Sequence, residues 1–108
     1  MAAEMEHRIL AEDLRAAVSG GVDAHATLGA MNIGAGGGAA VAASCAELAR
    51  TVGEASYRVT DEQVAAARRQ AGSDRGAFEV VMAAGVGAAL RRWDAAIRAI
   101  EEAADEAR

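Results

Sequence analysis

Alanine and glycine decide what this chain can become: 31 and 12 of its 108 residues, with no proline anywhere. Alanine is the best helix former and loses no side-chain entropy when ordered, so the composition points to helices throughout. It also makes for a thin core. Val, Ile, Leu, Met, Phe, Trp and Tyr together supply only 25 residues, and alanine carries little of the roughly 1.5 to 3 kcal/mol that a buried Leu or Val contributes. A monomer of this make-up is marginal, so subunits are expected to share a core. With three aromatic residues in all, a sandwich or barrel is excluded. The expected fold is all-α: one domain over residues 1–108, a compact oligomeric bundle of about five helices with a long C-terminal helix.

Sixteen acidic residues face eleven basic ones, all of them Arg, for a net charge of -5. A nucleic-acid binder shows a clustered basic stripe with aromatic platforms; here the arginines are dispersed and stand beside acids at helical spacing, so no nucleic-acid partner is expected. One cysteine, Cys45, builds no disulfide framework, which fits a reducing, cytoplasmic compartment. Met1 to Leu10 holds glutamates and no apolar run, so no signal peptide is expected. Residues 24–46 carry no formal charge with His25 neutral, but their only large apolar side chains are Leu28, Met31, Ile33 and Val41, with five glycines among them. That is too little transfer energy for a membrane span.

Periodicity predicts a first helix from Ala3 to Val18, its stripe being Met5, Ile9, Leu10, Leu14 and Val18. Ser19, Gly20 and Gly21 end it. A short helix from Asp23 to about Met31 follows, then a glycine loop or very close contact at residues 34–38, then a third helix from Ala39 to Val52. Thr60-Asp-Glu-Gln63 is a capping box, with Val59 and Val64 placed as a hydrophobic staple. It predicts a helix from Asp61 to Ala71, closed by Gly72. Ser73 and Asp74 open a last helix to about Glu106, with Phe78, Met82, Val86, Leu90 or Ala89, Trp93, Ile97 and Ile100 as its apolar stripe. Its length of roughly 48 Å exceeds the diameter of a globule of this size. Either Gly85 and Gly87 break it or its end packs on another subunit, and close helix approach is the simplest reason for two mid-helix glycines.

Several motifs invite chemistry. Gly34-Ala-Gly-Gly-Gly-Ala39 satisfies the dinucleotide pattern G-x-G-x-x-A, but no β-branched strand precedes it and no acid-ended strand follows. A structural turn is the better reading, and no cofactor is expected. His7 and His25 lack metal-ligand spacing. Cys45 among alanines reads as a small hydrophobe. Tyr57 and Asp61 form Y-x-x-x-D, which resembles the export signal of small helical type VII secretion substrates, although it stands mid-chain without their W-x-G turn.

The line Val59-Thr-Asp-Glu-Gln-Val, through Arg68-Arg-Gln-Ala-Gly-Ser-Asp74, to Phe78-Glu-Val-Val and Arg91-Arg-Trp-Asp94 resembles the later helices of the carboxymuconolactone decarboxylase and alkylhydroperoxidase D-like family. The resemblance implies a trimer or hexamer of identical helical subunits. In members with thiol chemistry, a C-x-x-C at a helix N-terminus is followed by three residues and a His, with an acidic relay on the preceding helix. Matched on His25, the two cysteine positions fall on Val18 and Gly21 and the relay on Glu6. The His and the acid are present and both cysteines are missing, so the resemblance implies the fold without thiol peroxidase activity. It leaves His25 and Glu6 as a candidate catalytic pair, or else as a surface His and Glu. Arg91 and Arg92 could take a carboxylate or simply snorkel, and Glu79 could be buried or at the rim. The alternative is a small helical interaction or secreted adaptor protein with no active site.

Overall fold

A computed structural model describes residues 2–19, 24–38 and 41–107, with the backbone alone for residues 2–4, 19, 24 and 25. Every regular element among them is helical. Helix α1 spans Ala2–Ser19, α2 Ala24–Gly34, α3 Ala43–Ala55, α4 Asp61–Ala71 and α5 Asp74–Glu106, with one 3-10 turn at Ser56–Arg58 between α3 and α4.

The boundaries written most clearly in the sequence are formed as written. Thr60 Oγ1 accepts from the amide of Gln63 while Gln63 Oε1 accepts from the amide of Thr60, which satisfies two backbone donors at the start of α4 reciprocally. Gly72 closes α4 in the left-handed region at φ 82°, its amide returned to the Arg68 carbonyl, a conformation that costs a side-chain-bearing residue. Ser73 then caps α5 through its hydroxyl and the Gly76 amide. Helix α5 is continuous: neither Gly85 nor Gly87 breaks it.

Two boundaries fall elsewhere than periodicity predicts. Helix α2 runs on past Met31 to Gly34, and the chain reverses at Gly36, φ 95°. Asn32 supports that reversal by donating from Nδ2 to the Gly38 carbonyl at 2.6 Å. Helix α3 begins at Ala43 rather than Ala39. Its cap comes from another helix, because Ala42 has no side-chain acceptor and Gln70 Oε1 of α4 takes the Ser44 amide at 2.6 Å. Such a cap is invisible in local sequence.

Helices α2, α3 and α5 meet at backbone distance. A Cβ built on Gly34 would lie under 3.0 Å from the backbone of Ala84, one on Gly53 equally close to Gly34, and one on Gly87 equally close to the Met31 carbonyl. Gly85 has open space instead, so only one of the two mid-helix glycines of α5 is required by packing. Around this junction lies the core, where Leu48 and Val80 are the largest fully buried side chains and Ala30, Ala49, Ala67, Ala83 and Ala84 supply much of the rest.

The apolar stripes predicted to face inward largely face outward. In α5 the buried face is Ala77, Val80, Ala83, Ala84, Gly87, Ala88 and Leu90. Phe78 is 62% exposed, Met82 51% and Ile100 64%. In α1, Met5, Ile9, Leu10 and Leu14 are all exposed, and Ala11 is buried in their place. In α5 the cause is the glycine junction: helices whose backbones touch leave room chiefly for small residues between them, so its large side chains are turned to the outside.

Candidate functional site

Helix α1 lies along the C-terminal half of α5 and leaves a groove on each side of the contact. The contact itself is modest. His7 meets Trp93 edge to face, with ring centroids 5.0 Å apart, and Arg15 pairs with Asp94 at 3.5 Å. Both ends of that ion pair are largely exposed, so it contributes little.

The two grooves differ in character. One, of about 440 Å³, is mixed and carries Arg8, Glu12, Arg15, Asp94 and Arg98 beside His7, Trp93 and Ile97. The other, of about 500 Å³, is almost wholly apolar, with Leu10, Leu14, Ala17, Ala89 and Leu90 beside Trp93 and Asp13 as its one acidic residue. A wide, apolar, open groove with few polar groups suits another protein surface better than a small polar substrate, which needs convergent polar groups in an enclosed site.

The arginines considered for a carboxylate stand at helix ends. Arg92 Nη2 donates to the Gly53 carbonyl at 3.4 Å, in the last turn of α3, and Arg91 Nη1 reaches to Gly36 where the chain leaves α2. Carbonyls at a helix C-terminus carry partial negative charge and attract cations. Arg92 therefore has a structural task at the junction of α3 and α5, while Arg91 lies over Gly36 on the rim of the grooves beside it. Glu79 is mostly covered, 17% exposed, and pairs with Arg75 one turn earlier at 3.5 Å.

Of the candidate pair, Glu6 lies on the exposed surface of α1. His25 is the second residue of α2, and its side chain lies outside the described residues. Val18, the first of the two positions matched to the family's cysteines, is in the last turn of α1 rather than at a helix start, and it packs against the core. Gly21 lies outside the described residues.

Cys45 is buried, its Sγ 3.8 Å from the Ala67 carbonyl, and burial pushes its thiol above the ordinary 9.0. That is the opposite of the lowered pKa a nucleophilic cysteine needs. Among the described residues no group of three His, Cys, Asp or Glu is placed to hold a metal ion, and no helix is long and apolar enough to cross a membrane. Sequence reasoning passed over the His7–Trp93 contact and the Arg15–Asp94 pair, since each joins residues some 80 positions apart and leaves no local signal.

No protein-family model, curated protein or solved structure matches the chain.

Proposed function

We propose that this chain is a self-associating helical protein of the carboxymuconolactone decarboxylase and alkylhydroperoxidase D-like kind, without thiol peroxidase chemistry. The observation that carries self-association is the outward stripe: Phe78, Met82, Trp93 and Ile100 on α5, with Leu10 and Leu14 of α1 beside it, are all at least 40% exposed. A contiguous apolar face of this kind marks an interaction surface. The family reading is supported by residues 59–94, which fold as a capped helix, a left-handed glycine, a second cap and a long helix of small residues. The absence of peroxidase chemistry rests on the buried, hard-to-ionise Cys45 and on there being no second cysteine in these 108 residues. In this reading His25 and Glu6 are the residues left for acid and base work, as in the decarboxylase branch.

A second reading, an interaction protein with no active site, is favoured by shape, since the subunit measures 54 × 26 × 21 Å. Light scattering combined with small-angle X-ray scattering separates the two. A compact trimer or hexamer, with a crystal structure showing His25 and Glu6 converging on an enclosed cavity, supports the first. An elongated dimer with both residues in solvent supports the second. A mass of about 10.9 kDa at micromolar concentration removes self-association from either.

A further inference from the structure

The outward stripe of α5 is symmetric about its own midpoint. Phe78, Met82, Gly85, Ala89, Trp93, Ala96 and Ile100 fall on one line of the helix at about 3.7 residues per turn, and each is exposed or half-buried. Gly85 and Trp93 stand four residues on either side of Ala89, Met82 and Ala96 seven, and Phe78 and Ile100 eleven. When two such helices lie antiparallel with Ala89 facing Ala89, each position meets its mirror. Glycine then receives the partner's indole and alanine receives the partner's methionine, while the two ends close on phenylalanine against isoleucine. Large against small is how helices reach contact distance without voids.

Charge selects the same direction. The C-terminal end of α5 carries Glu102, Asp105 and Glu106, all exposed, with no base in its last turn. The opposite end opens at an amide-rich N-terminus where Arg75, 77% exposed and paired with Glu79, and Arg68, paired with Asp74, stand with Arg69 in the last turn of α4, three bases against two acids. An antiparallel pair lays the acidic end over the partner's basic end and its helix N-terminus, where anions are favoured. A parallel pair would set acid against acid. Gly85 adds an independent sign: among the described residues nothing lies within 4 Å of a Cβ there, so the helix propensity that a mid-helix glycine forgoes has no return among them.

We infer that the occupant of this face is a second copy of the chain, paired through α5 antiparallel about a two-fold axis at Ala89. The contact rests on the self-association proposed above and is isologous, so it closes a dimer or joins larger rings in pairs.

Single-cysteine variants on a Cys45→Ala background test the register. Under mild oxidation Ala89→Cys gives a covalent dimer, because facing residues of tightly packed helices come within disulfide range. Ala96→Cys and Met82→Cys each give little dimer alone, and a mixture of the two gives the cross-linked pair. Gly85→Leu weakens association at least tenfold with unchanged helical circular dichroism. If the chain has an oligomeric mass but Ala89→Cys forms no link, or Ala96→Cys links to itself as readily, the antiparallel register is wrong and self-association stands. If light scattering gives the monomer mass, both fall.

Discussion

Replacing Gly87 by alanine puts the α2–α5 contact to the test. In an isolated helix that substitution gains about 1 kcal/mol, the difference in helix propensity. Here the added methyl would lie under 3.0 Å from the Met31 carbonyl and 3.2 Å from the Ala35 amide. Those two groups are already bonded to each other at 3.1 Å across the last turn of α2. Neither is the free end of a flexible side chain, so α2 and α5 must separate or α2 must lose that bond. Overpacking of a close-packed interior costs about 1 to 3 kcal/mol, and a collision with helix backbone belongs at the upper end of that range. After the propensity gain, a net loss of about 1 to 2 kcal/mol remains, a fall in Tm of roughly 5 to 15 °C for a domain of this size. Urea unfolding followed by far-UV circular dichroism measures it, at one fixed chain concentration because assembly couples to stability. A Gly87→Ala midpoint equal to or above that of the parent would mean that the two helices do not touch at this residue.

Thr60→Ala should cost about 1 kcal/mol, and Gln63→Ala more, because Gln63 Nε2 also donates to Thr51 at 3.0 Å and Glu47 at 3.3 Å on α3; thermal melts of the two variants give the order. The Cys45 thiol should alkylate far more slowly in the folded chain than in denaturant at pH 8. Since burial raises its pKa above 9.0, the unfolded chain holds fewer protons above that value, so stability should decline as pH rises past 9.0; urea midpoints at pH 8 and pH 10 read this on comparison with Cys45→Ala, which should lose less. Amide exchange of residues 5–18 should run at least tenfold faster than that of the buried face of α5, as α1 buries only Ala11 fully among its described side chains; equal protection would show that α1 opens only with the whole chain.

What was legible in the sequence is what local chemistry dictates. The Thr60 box, the Gly72 stop and the Ser73 start need only neighbouring residues, and all are formed. The direction of the amphipathic faces was not legible. Periodicity shows that Phe78, Met82 and Trp93 share a line of α5, and it is silent on whether that line meets the chain's own core. Gly34, Gly53 and Gly87 decide the matter by bringing three backbones together, and they lie far apart in sequence. Gly34 reads as the start of a loop because glycines follow it, yet it ends α2 where that helix meets the backbone of Ala84. The α3 start was misplaced for a similar reason, as its cap is Gln70, 26 residues away. The chemistry proposed for His25 and Glu6 came from a sequence line rather than from packing. What packing adds is that Arg92 serves the end of α3 and that Cys45 is shielded.

One helix sets the longest dimension of this molecule, and it is gripped near its middle. From Gly87, where α5 is held against α2, to Glu106 the helix runs on for about 28 Å, steadied by α1 and, in its first turns, by Arg92 on the Gly53 carbonyl of α3. A rod held along its first half magnifies any change of angle there: a turn of 10° in the crossing angle swings the far tip by about 5 Å, given that length. Half an ångström of repacking across the ~10 Å of α5 between Val80 and Gly87 thus becomes, at the acidic tip, a displacement of about 1.4 Å.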